Sequence, residues 1–173
     1  MTSSTVDEAS LTIRQPRSTD GMAVHSLVQA CPPLDTNSAY CNLLQCSYFA
    51  ETAAVAEYDG ELVGMTTGFI KPTDPNTLFL WQMAVSDKAR GLKLAQRLIM
   101  TILDRPCCES VKYIETTITA SNKASWAVFR KIADKLGTEL NESVCFDRQE
   151  HFHDKHDSEH LARIGPFSIS SLA

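Results

Sequence analysis

No run in this chain approaches the ~20 consecutive apolar residues that span a bilayer. Its first residues, MTSSTVDEAS, have neither the basic region nor the apolar core of a secretory leader. The expected setting is therefore the cytoplasm, without membrane association. The CxxC spacing is also absent. The six cysteines, Cys31, Cys41, Cys46, Cys107, Cys108 and Cys145, read as reduced, packed thiols, and not as a disulfide framework or a cysteine-built zinc site. Nor is there a basic excess: 16 Lys+Arg stand against 21 Asp+Glu, a net charge of -5. That argues against a general nucleic-acid binder and is compatible with a cationic small substrate. Internal repeats and low-complexity blocks are missing too. What remains is 173 residues, 43% hydrophobic and 21% charged, the size and mix of one soluble domain with a real core. The expected boundaries are a disordered polar tail over residues 1–10, a single domain over 11–167 and a short tail over 168–173.

Periodicity supplies the elements. Leu11 to Arg14 reads as a first strand, and Val24, Leu27 and Val28 mark a helix over Asp20–Ala30 that Pro32-Pro33 ends. Asn37 or Ser38 caps a second helix to about Gln45. Asp59-Gly60 between two strand-like runs, Thr52–Tyr58 and Glu61–Ile70, is a hairpin signal. Asp74-Pro75-Asn76 reads as a turn before a strand over Thr77–Val85. The pairs Leu94/Ala95, Leu98/Ile99 and Ile102/Leu103 predict one apolar stripe on a helix over Gly91–Arg105, stopped by Pro106. Tyr113–Ile118 reads as a strand. Asn122–Leu136 reads as a helix with Ala124, Val128, Ile132 and Leu136 in line and Gly137 past its end. Leu140–Phe146 is a further strand, Asp147–His160 is polar and His-rich, and Leu161–Phe167 reads as a returning edge strand. A meander followed by β, helix, β, helix predicts an α/β fold with a mixed sheet and helices on both faces.

The stretch LFLWQMAVSDKARGLKLAQRL, Leu78 to Leu98, carries the chemistry. An apolar strand enters a short loop with Arg90-Gly91, and the loop opens into a helix. The first amides of a helix have no intrahelical partner and the helix dipole is positive there, so such a turn holds phosphate or pyrophosphate.

With those residues in view, the strand, the segment Arg90-Gly91-Leu92-Lys93-Leu94-Ala95 and the helix resemble the acetyl-CoA loop of the GNAT-type N-acetyltransferases, patterned (Q/R)-x-x-G-x-(G/A). CPPLDTNSAY at 31–40, NLLQC at 42–46, Trp81-Gln82, ETTIT at 115–119, Asn122-Lys123-Ala124-Ser125-Trp126, His156-Asp157-Ser158-Glu159 and RIGPF at 163–167 are similar, in order, to the diaminobutyrate acetyltransferases of ectoine biosynthesis. The resemblance implies a GNAT-like fold whose mixed, mostly antiparallel sheet splays at the acetyl-CoA site. It also implies acetyl transfer from acetyl-CoA to the 4-amino group of L-2,4-diaminobutyrate by direct amine attack in a ternary complex, with no metal. The product would serve osmolyte synthesis, and the enzyme would be a homodimer.

The resemblance also distributes roles. Backbone amides of Gly91, Leu92, Lys93, Leu94 and Ala95, with Arg90, would grip the pyrophosphate. The strand edge at Met83, Ala84 and Val85, opened by a bulge, would pair with the pantetheine arm. Asn122, Ser125 and Phe129 would border the cofactor. Asp35, Trp81, Glu115, Thr116, His156 and Glu159 would receive the substrate. Glu115 is the first candidate base, against a salt-bridged or edge-facing glutamate. Phe129 stands where many members place a thiolate-protonating tyrosine, leaving Tyr40 or solvent as the acid. For Asp35 the alternative is a helix cap, for Trp81 a core position, and for His156 and Glu159 a solvated loop. At position 93 the pattern expects glycine and this chain has Lys93. A left-handed lysine there costs on the order of 1–2 kcal/mol, and a phosphate contact returns roughly 1.5–3 kcal/mol.

Three other readings stand beside this one. One is a GNAT enzyme for another small diamine or amino acid. A second is a non-catalytic acyl-CoA sensor. The third is a zinc hydrolase, because His156-Asp157-Ser158-Glu159-His160 spells H-x-x-E-H.

Overall fold

Asp59 and Gly60 both take positive φ, 49° and 78°, the geometry a tight hairpin turn requires. The strands β2 (Ala54–Tyr58) and β3 (Glu61–Lys71) leave that turn antiparallel. The computed structural model describes residues 8–169, and the expected tails at 1–10 and 168–173 lie largely outside that range. Glu8–Ser10 form one 3-10 turn. Two compact units divide the chain: residues up to Phe69 with Leu80–Glu109, and Ile70–Phe79 with residues from Ser110 on.

In the first unit β1 (Thr12–Arg14) pairs antiparallel with β2. The helices α1 (Gly21–Gln29) and α2 (Ala39–Ser47) follow β1. Ser38, and not Asn37 or Asp35, caps α2 by accepting from the Cys41 amide at 3.1 Å. Met65 of β3 packs with Val24, Leu27 and Val28 of α1, Cys46 of α2, Val55 and Ala84. Its neighbour Gly64 faces the other way. A Cβ on Gly64 would come within 2.7 Å of Leu94 in helix α3 (Leu94–Leu103), so the missing side chain lets that helix sit close. Helices therefore cover both faces here, as expected. Leu94, Leu98, Ile99, Ile102 and Leu103 are the buried face of α3. The helix starts at Leu94 and not at Gly91, because Gly91 and Lys93 have φ of 85° and 52°.

In the second unit the strand β4 (Asp74–Val85) begins three residues earlier than expected. Pro72-Thr73 make the turn, and the Asp74 carboxylate accepts from the Asn76 amide and the Thr77 hydroxyl within the strand start. The hydroxyl, first, holds the Asp74 carboxyl below its usual value. β4 pairs parallel with β5 (Tyr113–Thr119) at Thr77↔Tyr113, Leu78↔Ile114 and Phe79↔Glu115. β6 (Leu140–Phe146) and β7 (Glu159–Ile164) complete the unit. β7 is not an edge: it pairs antiparallel with β5 on one side and β6 on the other, and the edge falls to β6. Hydrogen bonding thus orders the strands β1-β2-β3-β4 in the first unit and β4-β5-β7-β6 in the second, a mixed sheet arrangement.

The helix α4 (Lys123–Leu136) is capped by Asn122, whose side chain accepts from the Ser125 amide, and ends at Gly137 with φ 63°. Its buried face is Trp126, Phe129, Ile132, Ala133 and Leu136, and Ala124 is exposed. Steps of four residues advance about 400° and drift off the face, so the expected Ala124–Val128 line gives way to mixed steps of three and four. All six cysteines are free. Among the described residues no helix is long and apolar enough to cross a membrane.

Candidate active site

The loop before α3 leaves backbone amides open at the start of the helix. Arg90 is extended, Gly91 and Lys93 are left-handed, and Lys93 occupies the N-cap of α3 without giving a side-chain cap. Ser38 and Asn122 cap α2 and α4 through side-chain oxygens, whereas α3, like α1, has no side-chain cap, so its first-turn amides lack such an acceptor. A Cβ on Gly91 would meet open space, and the Lys93 side chain is on the surface. Arg90 lies 2.6 Å from Asp87 with both side chains largely exposed, a surface pair weak enough to exchange for a phosphate. The left-handed lysine gives a prediction. Lys93→Gly should leave the melting temperature level or slightly higher, because relief of about 1–2 kcal/mol is offset by about 0.5–1 kcal/mol of glycine backbone entropy. The acetyl-CoA KM should rise about fivefold through loss of the charge-assisted contact. A large gain in acetyl-CoA affinity would show instead that Lys93 hinders the loop.

The first unit also holds Tyr40, Asp35, Trp81 and Met83–Val85. The Ala84 side chain is 1% exposed in the core facing α1, so only its backbone is available to a ligand. The Val85 carbonyl accepts from the Cys31 thiol at 3.6 Å. Trp81 is 44% exposed and is not a core residue. It meets Phe69 edge-on at 6.3 Å, and Phe69 meets Phe49 at 6.2 Å, so the indole is a braced aromatic wall. Tyr40 lies in the first turn of α2, 70% exposed. Asp35 is on an exposed loop. The Gln82 side chain donates to the Asp35 carbonyl at 2.7 Å and accepts from the Asn37 amide group at 3.0 Å.

The second unit holds the remaining candidates. Register sets Arg163 opposite Glu115, and Glu159 opposite Thr119, so Glu115 and Glu159 share one face of the strands. Glu115 is 3% exposed. Lys71 donates to its Oε2 at 2.7 Å and Arg163 donates to its Oε1. Arg163 also lies 3.9 Å from the Tyr113 ring and 3.8 Å from Asp74. The salt-bridged reading of Glu115 therefore holds. An ionised carboxylate has about four acceptor sites, so each oxygen keeps a second one for water or substrate. Burial, and next the Glu115 charge, push the Cys145 thiol up.

Thr116 lies on the opposite face, buried with Ile114 and Ile118. The strands therefore place its side chain away from that of Glu115. Phe129 is 4% exposed in the buried face of α4. The Asn122 side-chain Oδ1 is engaged in the cap, accepting from the Ser125 amide. A cavity of about 320 Å³ is lined by Thr119, Arg148, Asp154, Lys155, His156 and Asp157. Within it Arg148 pairs with Asp154 and Asp157. His156 packs on Phe152 at 4.7 Å, and its Nδ1 lies 2.7 Å from the Asp157 carbonyl. The H-x-x-E-H spacing does not fall on a helix. His156 is in a bend and Glu159 and His160 begin β7, where neighbours point to opposite faces, and His160 pairs with Glu142 at 2.9 Å. The zinc-hydrolase reading fails on that geometry.

Gln82, Lys71 and Arg163 were not among the sequence candidates. Gln82 and Arg163 lie inside the quoted blocks, but their partners are distant in sequence.

Comparison with known proteins gives the family. The acetyltransferase (GNAT) family model matches residues 22–133. The L-2,4-diaminobutyric acid acetyltransferase of Methylotuvimicrobium alcaliphilum is 51% identical over 157 residues, 91% of this chain and 91% of that protein. Its counterpart from Halomonas elongata is 46% identical over 163 residues, 94% of this chain and 84% of that protein. The structure of diaminobutyrate acetyltransferase EctA from Paenibacillus lautus, in complex with its substrate L-2,4-diaminobutyric acid and coenzyme A, aligns with a TM-score of 0.86 at 34% identity, covering 91% of this chain and 95% of that one.

Proposed function

The chain belongs to the acetyltransferase (GNAT) family and, within it, to the diaminobutyrate acetyltransferases, and from that premise we propose that it transfers the acetyl group of acetyl-CoA to the 4-amino group of L-2,4-diaminobutyrate. The product, N4-acetyl-L-2,4-diaminobutyrate, would feed ectoine synthesis and osmoprotection. The observation that carries this reading is the likeness, across nine-tenths of the chain, to an enzyme holding that substrate and coenzyme A.

The chain's residues fit the co-substrate. The uncapped first turn of α3, the left-handed Gly91 and the exposed cations of Arg90 and Lys93 suit a pyrophosphate. Met83 and Val85 offer strand backbone to the amide-rich arm, whose pairing a bulge would open. Asn122, Ser125 and Phe129 are carried as cofactor neighbours, with Phe129 a packed wall. Bound acetyl-CoA supplies the thioester that the amine attacks. The residues must then position the amine and remove its proton, because at neutral pH the free amine lies about 4–5 kcal/mol above its ammonium form. Glu115 takes that proton through water on a remaining lone pair, while Lys71 and Arg163 fix the carboxylate. Asp35, Glu159 and His156 are carried as candidates for the substrate's charged groups, and Trp81 as an aromatic wall. The C–S bond breaks as the amide forms, and the departing thiolate takes a proton from solvent or Tyr40. The protein acts as a cytoplasmic homodimer in this proposal.

Thiol release in the presence of acetyl-CoA and L-2,4-diaminobutyrate is the direct test. Turnover with that amine, and little with 1,3-diaminopropane or lysine, is expected. Turnover with another diamine alone would keep the enzyme class and overturn the substrate.

A further inference from the structure

We propose that Gln82 is a positioning residue for amine specificity, acting by clamping the Cys31–Asn37 loop onto β4. This rests on the reading of Asp35 as a substrate contact. Asp35 itself is exposed and belongs to a loop with no regular secondary structure of its own. Such a carboxylate selects a diamine only if its backbone is held still. The holding groups are on β4. The Gln82 Nε2 donates to the Asp35 carbonyl at 2.7 Å, and its Oε1 accepts from Asn37 Nδ2 at 3.0 Å. One amide thus uses both its donor and its acceptor on two residues that flank Thr36. At the other end of the loop the Cys31 thiol reaches the Val85 carbonyl at 3.6 Å.

The loop is therefore strapped to β4 at positions 82 and 85, across Met83 and Ala84. Its anchor, Gln82, directly follows Trp81, the braced aromatic wall. Side-chain chemistry makes the clamp specific. A carboxylate at position 82 has no donor for the Asp35 carbonyl, and an apolar side chain has neither group. Because Gln82 bonds to the Asp35 backbone, the clamp sets where the Asp35 carboxylate stands without itself occupying the substrate position.

The experiment is a double-mutant cycle on the full-length enzyme, with KM measured separately for both substrates. Gln82→Met keeps length and volume but removes both hydrogen bonds. It should raise the diaminobutyrate KM about tenfold, as expected for loss of about 1.4 kcal/mol, and leave the acetyl-CoA KM within about twofold. In an Asp35→Ala background the same change should raise the amine KM no more than about twofold, since the group being positioned is gone. Asn37→Ala, which removes one of the two bonds, gives a smaller rise of the same selectivity and serves if Gln82→Met folds poorly. Equal rises in both KM values, or the full effect persisting without Asp35, would overturn the proposal. The two readings fail separately. Wild type inactive with diaminobutyrate defeats the function reading. Amide exchange over residues 31–38 then still reports the clamp: faster exchange in Gln82→Met is expected, and unchanged exchange refutes it.

Discussion

Glu115→Gln is expected to lower the melting temperature by roughly 10 °C, and to lower kcat at least about 100-fold at temperatures where the variant is folded. The thermal arm follows from the pairing. Glu115 is 3% exposed and meets Lys71 on one oxygen and Arg163 on the other. Both partners are donors. An amide has a single acceptor oxygen, so in either orientation its NH2 confronts one of the two cations. Lys71 can turn toward solvent, as its side chain is 30% exposed. Arg163 is held over the Tyr113 ring at 3.9 Å and near Asp74 at 3.8 Å, so most of the penalty falls on it. Breaking a buried pair from one side costs about 3–5 kcal/mol, and in a chain of this length each kcal/mol is about 2–4 °C.

The kinetic arm is independent of that penalty. General-base removal is worth about 10²–10⁴ in rate, and it should appear in kcat with the acetyl-CoA KM unchanged. Calorimetry and steady-state thiol release on the same sample separate the two. A lower melting temperature with normal kcat would leave Glu115 as a structural anchor and send the search for the base elsewhere. An unchanged melting temperature would contradict the ion-pair network itself.

How far the sequence was readable depends on the range of the forces involved. The hairpin at Asp59-Gly60, the α3 stripe and the Asn122 and Gly137 ends of α4 are local, each decided within a few residues, and each stands where its pattern placed it. The start of α3 was misplaced because apolar periodicity does not reveal that Lys93 is left-handed. Only the glycine-shaped gap in the family pattern hinted at it. The central place of β7 was hidden because strand order is a choice of partners far apart in sequence. The site follows the same rule. Asp35, Trp81, Glu115 and Glu159 are proposed through resemblance. The groups that hold two of them were not, since Lys71 and Arg163 lie 44 and 48 residues from Glu115, and Gln82 lies 47 from Asp35. That Thr116 points away from Glu115 follows from strand alternation, since adjacent strand residues point to opposite faces.

Asp35→Ala should raise the diaminobutyrate KM about 30-fold or more while the acetyl-CoA KM stays within about threefold, an effect at the lower end of the 2–5 kcal/mol seen when one member of a charge pair is removed. The substrate carries two ammonium groups, and the one that is not acetylated still needs an anionic partner. Asp35 is suited to that task because its loop is tied to the residue following Trp81. The substitution spares the clamp for a structural reason. Gln82 bonds to the Asp35 carbonyl and not to its carboxylate, so alanine retains that bond and the loop keeps its anchor. Ser38 supplies the cap of α2, so no helix end depends on the lost carboxylate either. The melting temperatures of Asp35→Ala and wild type, measured on the same samples, separate loss of the charge from any loss of structure. Asp35→Asn should fall between wild type and alanine, since it keeps a hydrogen-bond acceptor and loses the charge. Glu159→Ala, on the face shared with Glu115, provides the comparison. If it alone shows the selective rise in amine KM, and Asp35→Ala raises both KM values equally, the amine is held from the second unit and Asp35 leaves the binding site.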